Sequence, residues 1–328
     1  MKKTSFAISA LLLIAISAQT FQPCYAQSFD DAFYNKTLRV DYSFAAEKAV
    51  QAVYISELHA YDYWAGRRVN LDSLPVEGNG SVVMKDAATG KVLYRTSFSS
   101  LFSEWCNEQN IELISPRNDG SAPSSRSNGA FEFVVNLPYP KARTEIVTTL
   151  YDKYRKVVAE QSFIFDPSDI LVRKHDSESP APYKYILQSG SYEDKIDVVI
   201  VAEGYTEAEM DVFYKDAEIA VEAILSHHPF DSLKERFNFI AVACPSKDSG
   251  VSEPLKGEWK STAVGSNYST FYVDRYLTTS RVRQMNDVLS GIPFEHIIVL
   301  ANTDTYGGGG IYNSYTLTTA HHPLFRPV

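Results

Sequence analysis

A strand that is apolar on both faces must be covered on both, and the run Ile196 to Ala202 in KIDVVIVAEGY has this character. It leads into Thr206-Glu207-Ala208-Glu209, a capping box in which Thr206 accepts from the Glu209 N–H while Glu209 reaches back. The next apolar residues, Met210, Phe213, Ala217, Val221, Ile224 and Leu225, keep to one helical stripe until Pro229 stops it. FNFIAVAC and EHIIVLAN repeat the buried-strand pattern, and SRVRQMNDVLSG between them predicts a helix closed by Gly291. Strands and helices alternating in this way specify an α/β domain with a largely parallel sheet.

The first half of the chain has a different period. TLRVDYSF, AVYISELHAY, GSVVMKD, KVLYRTSF, FEFVVNLPYP, EIVTTLYDKY and KVVAEQSFIF alternate apolar and polar residues and are rich in β-branched and aromatic side chains. That pattern predicts antiparallel strands in a β-sandwich. Ser115 to Gly129 is too rich in Pro, Gly and Ser to pack and reads as an exposed loop. Charge and proline replace periodicity around VRKHDSESPAPYKY, where few contacts should cross. The expected division is therefore a β-sandwich over 27–172, a linker over 173–190 and the α/β domain over 191–328.

Residues 1–26 are set apart as a signal peptide. Lys2 and Lys3 precede the apolar stretch Phe6 to Ala18, and Cys24-Tyr25-Ala26 precedes the polar Gln27. The apolar stretch is shorter than the roughly 20 residues a bilayer span needs, and Pro23 before Cys24 argues against a lipoprotein cleavage box. No later segment has membrane length. The chain is thus expected to be exported through a cleaved signal peptide, to the periplasm, the cell surface or the medium. Without Lys2 and Lys3, 29 basic residues face 40 acidic ones, which argues against nucleic acid and anionic lipid as partners. Cys106 and Cys244 alone remain after processing. This excludes a disulfide-dense scaffold and a thiolate metal cluster, and leaves two separate thiols or one bridge between the domains.

Chemistry-bearing motifs are few. None of the seven histidines, His59, His175, His227, His228, His296, His321 and His322, is followed by Glu and a second His at the spacing that places two imidazoles and a base on one helix face. His227-His228 reads as a helix end favouring the negative pole of the dipole. A Gly-x-Ser-x-Gly elbow is absent, and YGGGG lacks the Lys and Ser or Thr of a phosphate loop. Glu203 and Asp304 follow buried strands, where open α/β sheets bind ligands, and are read either as loop carboxylates or as a hydrolytic pair. Gly307, Gly308, Gly309 and Gly310 are read either as a flexible turn or as the place where a peptide approaches the edge strand IYNSYTLTT and pairs with its backbone.

The chain as a whole resembles the IgA peptidases, family sixty-four of the zinc metallopeptidases, in the form found in Bacteroides-type bacteria. LRVDYSF, ISELHAYDYWAGRRVNLDSLP, SLFSEW and VNLPYPKA are similar to the sandwich that precedes the peptidase domain there. VVIVAEGYTEAEMDVFYKDAE, HPFDSLKERFNFIAVACPSKDSGVS, STFYVDRYL and NTDTYGGGGIYNSY are similar to the first part of that domain. The resemblance implies a zincin-like C-terminal fold, one zinc ion in the full-length family, and a protein or peptide substrate, with a host glycoprotein as one candidate. It also implies a His-Glu-x-x-His helix just beyond HHPLFRPV, so Val328 is read as a truncation point. No catalytic or metal residue carries over, no metal is expected on this chain, and the chain by itself is expected to be inactive. What carries over is Gly307 to Gly310 with Ile311 and Tyr312 as the rim of a substrate cleft. The competing reading is a non-catalytic exported protein that binds a host glycoprotein or glycan.

Overall fold

The computed structural model describes residues 28–47, 50–109, 128–175 and 178–322. The expected signal peptide, residues 323–328 and all but the last two residues of the loop read at Ser115 to Gly129 lie outside them.

Two sheets make up the first half. One contains β1 (Phe33–Glu47), β2 (Val50–Tyr61), β5 (Asn128–Pro140) and β8 (Arg173–Lys174) in the order β5-β1-β2-β8; the other contains β3 (Gly80–Asp86), β4 (Val92–Phe98), β6 (Thr144–Tyr151) and β7 (Val157–Phe165) in the order β4-β3-β6-β7. Alternation decides which side chains meet between them. Leu38, Val40, Tyr42 and Phe44 of β1 join Met84, Phe98, Phe133, Leu137 and Ile146 in one aromatic-rich core.

The second half is a six-stranded sheet built from β9 (Tyr183–Leu187), β10 (Ile196–Glu203), β11 (Phe237–Val242), β12 (His296–Ala301), β13 (Gly308–Ile311) and β14 (Tyr315–Thr319), in the order β13-β14-β12-β10-β11-β9. The four inner strands are mutually parallel, and β13 and β9 are antiparallel edges. Among the described residues four α-helices accompany the strands: α1 (Phe29–Ala32), α2 (Leu101–Gln109), α3 (Met210–Leu225) and α4 (Val282–Val288). The long helix α3 buries Phe213, Ala217 and Val221, and Met210, Ile224 and Leu225 pack against the same core. Its start is fixed as the capping box predicts, with the Glu209 carboxylate accepting from the backbone N–H and the hydroxyl of Thr206, each at 2.8 Å. None of the described helices is long and apolar enough to cross a membrane.

Three local expectations change. The segment read as a linker contributes a strand to one sheet of each half: β8 pairs with β2, and β9 pairs with β11. Tyr183–Leu187 lacks alternation because it is an edge strand half covered on both faces. Helix α2, which no sequence signal separated from its surroundings, packs Phe102 and Trp105 into the sandwich core. IYNSYTLTT is a hairpin rather than one strand, since Asn313 adopts φ 52° and turns the chain between β13 and β14.

The outer face of the β5-β1-β2 sheet is not solvated. Val134 of β5 and Leu101 of α2 are buried in the core of the α/β domain. On the same face Arg39, 1% exposed, binds both oxygens of Asp41 at 2.6 and 2.8 Å and reaches Asp287 of α4 at 2.7 Å. Arg283 of α4 donates back to the Tyr42 carbonyl and to the hydroxyls of Ser43 and Ser56. The α/β domain thus covers a sheet face that isolated strand alternation would leave in water.

Candidate substrate cleft at the ends of the parallel strands

Loops leaving the C-terminal ends of β10, β12 and β14 meet at one edge of the α/β sheet. Glu203, the last residue of β10, is 0% exposed and spends both carboxylate oxygens on the chain that follows β11. Oε1 accepts from the Thr262 hydroxyl at 2.6 Å, the Ser266 N–H at 2.8 Å and the Ser266 hydroxyl at 2.5 Å; Oε2 accepts from the Val264 N–H at 2.9 Å. Among the described residues every bond its carboxylate accepts comes from that loop, so Glu203 organises the loop, and the hydrolytic pairing with the exposed Asp304 loses its buried member. Gly204, at φ 75°, lets the next turn pass against Gly250.

Beside this loop stands a carboxylate–imidazole pair. Asp216 of α3 accepts from the His321 Nε2–H at 2.7 Å and from the Tyr205 hydroxyl at 2.9 Å, all on Oδ2. Burial, and then the charge of Asp216, push the Tyr205 hydroxyl well above the ordinary tyrosine range, so it stays protonated and remains a donor. The bond from Nε2 to Asp216 fixes the orientation of the His321 ring. His322 packs its ring on Tyr306, 5.2 Å between centroids, immediately before the glycine run.

Gly307 to Gly310 line an open trough of about 400 Å³ together with Arg275, Tyr276 and Tyr306. Gly308 donates to the Arg275 carbonyl at 3.2 Å and accepts from the Leu277 N–H at 3.4 Å, so its polar groups face away from β14. Bonding direction alternates along a strand, which makes Gly310 the next outward-facing residue. Gly310 is exposed, and among the described residues no backbone group from outside the sheet pairs with it. The inner glycines answer to packing. A Cβ on Gly309 would lie 2.7 Å from the Tyr276 ring and 2.8 Å from the Leu277 carbonyl, whereas one on Gly310 meets only the Thr316 hydroxyl at 3.9 Å. Ile311 points into the core, and the Tyr312 carbonyl accepts from the Ser99 N–H of the sandwich at 2.9 Å. The six residues read as a cleft rim therefore divide into four that line the trough, one core residue and one residue at the domain junction.

The remaining candidates lie elsewhere. His227 donates from Nδ1 to the Ala223 carbonyl at 2.7 Å at the end of α3, the helix-end role read from the sequence. Cys106 and Cys244 are separate buried thiols, each pushed up to about 12 by burial. A zinc ion needs three or four protein ligands. His321 with Asp216 is one histidine with one carboxylate, and among the described residues no group of three or more His, Cys, Asp or Glu side chains could hold a metal. Sequence reading missed Asp216, which sits on α3 between stripe positions, and it missed Asp197 inside the apolar run of β10; nothing in local spacing marks either.

Compared with known proteins, residues 185–324 match the profile of IgA Peptidase M64 and residues 28–162 match that of Peptidase M64 N-terminus. No curated protein matches the chain.

Proposed function

Because the chain belongs to the IgA Peptidase M64 family, with matches in both of its domains, we propose that it serves as an exported metallopeptidase of proteins whose described residues supply the substrate-aligning half of a zincin-like cleft. The observation that carries this reading is the edge strand β13, with Gly310 turning its N–H and carbonyl outward over a trough. An extended peptide laid along that edge gains backbone hydrogen bonds without depending on its side chains, a recognition mode suited to an enzyme that reads main chain. The Asp216–His321 pair lies past the end of β14 and outside the trough lining, so it has no part in this alignment. On this reading the substrate is a protein or peptide, and a host glycoprotein suits an exported enzyme.

Binding of an unstructured casein peptide, followed by fluorescence polarisation, tests the reading. Gly310→Pro removes the outward N–H and should weaken binding about five- to tenfold, the ~1 kcal/mol of one lost hydrogen bond, while Gly310→Ala should bind like wild type. Equal affinity in the proline variant would remove β13 from the substrate site.

A further inference from the structure

Both walls of the glycine trough are held from the sandwich domain. One wall is the β13–β14 hairpin, and its turn is gripped at the end of β4. The Asn313 amide donates to the Thr96 hydroxyl at 3.1 Å and to the Ser97 carbonyl at 2.9 Å, beside the bond from the Ser99 N–H to the Tyr312 carbonyl. The other wall is the segment 269–276, of which Val273, Arg275 and Tyr276 line the trough. Tyr276 sends its hydroxyl 172 residues back along the chain to donate to Glu104 Oε2 on α2, at 2.5 Å.

The second wall is not in a relaxed conformation. Ser269, Phe271 and Tyr272 have φ of 60°, 51° and 65°, a left-handed backbone that bulky side chains seldom adopt and that persists only where the surroundings impose it. Here both domains impose it. Phe271 packs against the sandwich core and the α/β core at once, with its ring 6.2 Å from that of Tyr276. Next to it, the Arg275 carbonyl and the Leu277 N–H meet Gly308, so the segment occupies the edge of β13 as far as Gly308 and leaves it open at Gly310. Where this segment sits therefore decides how much of the edge a peptide can use.

We propose that the sandwich domain positions the peptide trough, Glu104 fixing one wall and Asn313 the other. The proposal rests on the reading of β13 as a peptide-pairing edge and gives the N-terminal domain a part in it. Neither residue lines the trough. Each is a positioning residue, Glu104 acting through the Tyr276 hydroxyl and Asn313 through the turn that joins β13 to β14. A binding edge works only while its supports hold it within about 0.5 Å of the productive geometry, and these supports cross the domain junction.

Fluorescence polarisation of the full chain with the same casein peptide tests this, together with amide hydrogen exchange of 269–276 and 308–314 measured without peptide. Glu104→Leu removes the acceptor, and Asn313→Gly removes the amide while keeping a residue suited to the left-handed turn. Each should weaken peptide binding about fivefold or more while melting like wild type, and each should speed exchange in the wall it holds. Glu104→Gln, which keeps an acceptor for Tyr276, should restore both affinity and protection, an outcome that a general loss of stability would not give. Undiminished affinity in either folded variant, with Gly310→Pro still impaired, would overturn the proposal and leave the trough reading standing. Absence of peptide binding by the wild-type chain would remove the trough reading itself; unchanged exchange in the two variants would then overturn the positioning role as well, and faster exchange would uphold it.

Discussion

Among single residues, the most consequential are carboxyls placed where water is excluded. Asp197 is 0% exposed within β10; burial raises it to about 6, and the bond its carboxyl accepts from Asn238 Nδ2 at 2.9 Å lowers it only in part. Glu295, whose backbone N–H donates to the Asp197 carbonyl, is raised to about 8 by burial and then by Asp197. Both folded-state values exceed the unfolded ones, so between about pH 4 and about pH 8 the folded chain holds more protons than the unfolded chain. Their contribution to stability is complete at the acid end of that window and is lost as pH rises through it. Glu295→Gln should flatten the decline in melting temperature between about pH 5 and about pH 8, where each differentially bound proton contributes up to ~1.4 kcal/mol per pH unit. Melting curves across that range check this, and an unchanged slope in the variant would remove Glu295 as its source. Glu203 is the contrast: it is as buried as Asp197, but four donors surround it, so its role is to fix a loop.

At the level of elements, β13 shows how one composition serves two purposes. Gly309 is glycine because Tyr276 and the Leu277 carbonyl occupy the space of a side chain, whereas Gly310 has open space. Gly309→Ala should destabilise the fold by ~1–3 kcal/mol through overpacking, and Gly310→Ala should stay within about 0.5 kcal/mol of wild type. Urea unfolding of the two variants separates these outcomes, and equal midpoints would show that the segment carrying Tyr276 yields easily. Both glycines look alike in YGGGG, because sequence records the missing Cβ and not the neighbour that excludes it.

For the whole molecule, the decisive feature is that the sandwich and the α/β domain share an interior. Leu101 and Val134 belong to the far domain's core, and the guanidinium of Arg39 ties Asp41 to Asp287 across the junction. His175, just past β8, shares a hydrogen bond with the buried His59 at 2.7 Å and holds the crossing segment against the sandwich. Unfolding should therefore be a single transition, with tryptophan fluorescence and circular dichroism coinciding. Arg39→Ala strands the buried Asp41 carboxylate and should cost ~3–5 kcal/mol. Asp287→Ala should cost under about 1 kcal/mol, since its side chain is 59% exposed. Two resolved transitions in the wild-type chain would show that the domains fold as separate units.

The long strands of both halves, though not β8, β9 or the β13–β14 hairpin, were legible in the sequence together with the start and stripe of α3 and the parallel character of the inner sheet, because each rests on a local period that burial on one or two faces imposes. Local period carries no information about what lies across a face. Asn136 reads as the polar side of a half-buried strand, and Asp197 as a blemish in an apolar run; tertiary packing buried the side-chain oxygen of the first at the domain junction and made the second a raised carboxyl. Asp216 and His321 stand 105 residues apart along the chain, and only the closing of α3 over the sheet brought them within hydrogen-bond distance. Sequence determined which segments could form each layer, and the docking of one layer on another decided which of their polar groups lost water and so acquired a chemical role.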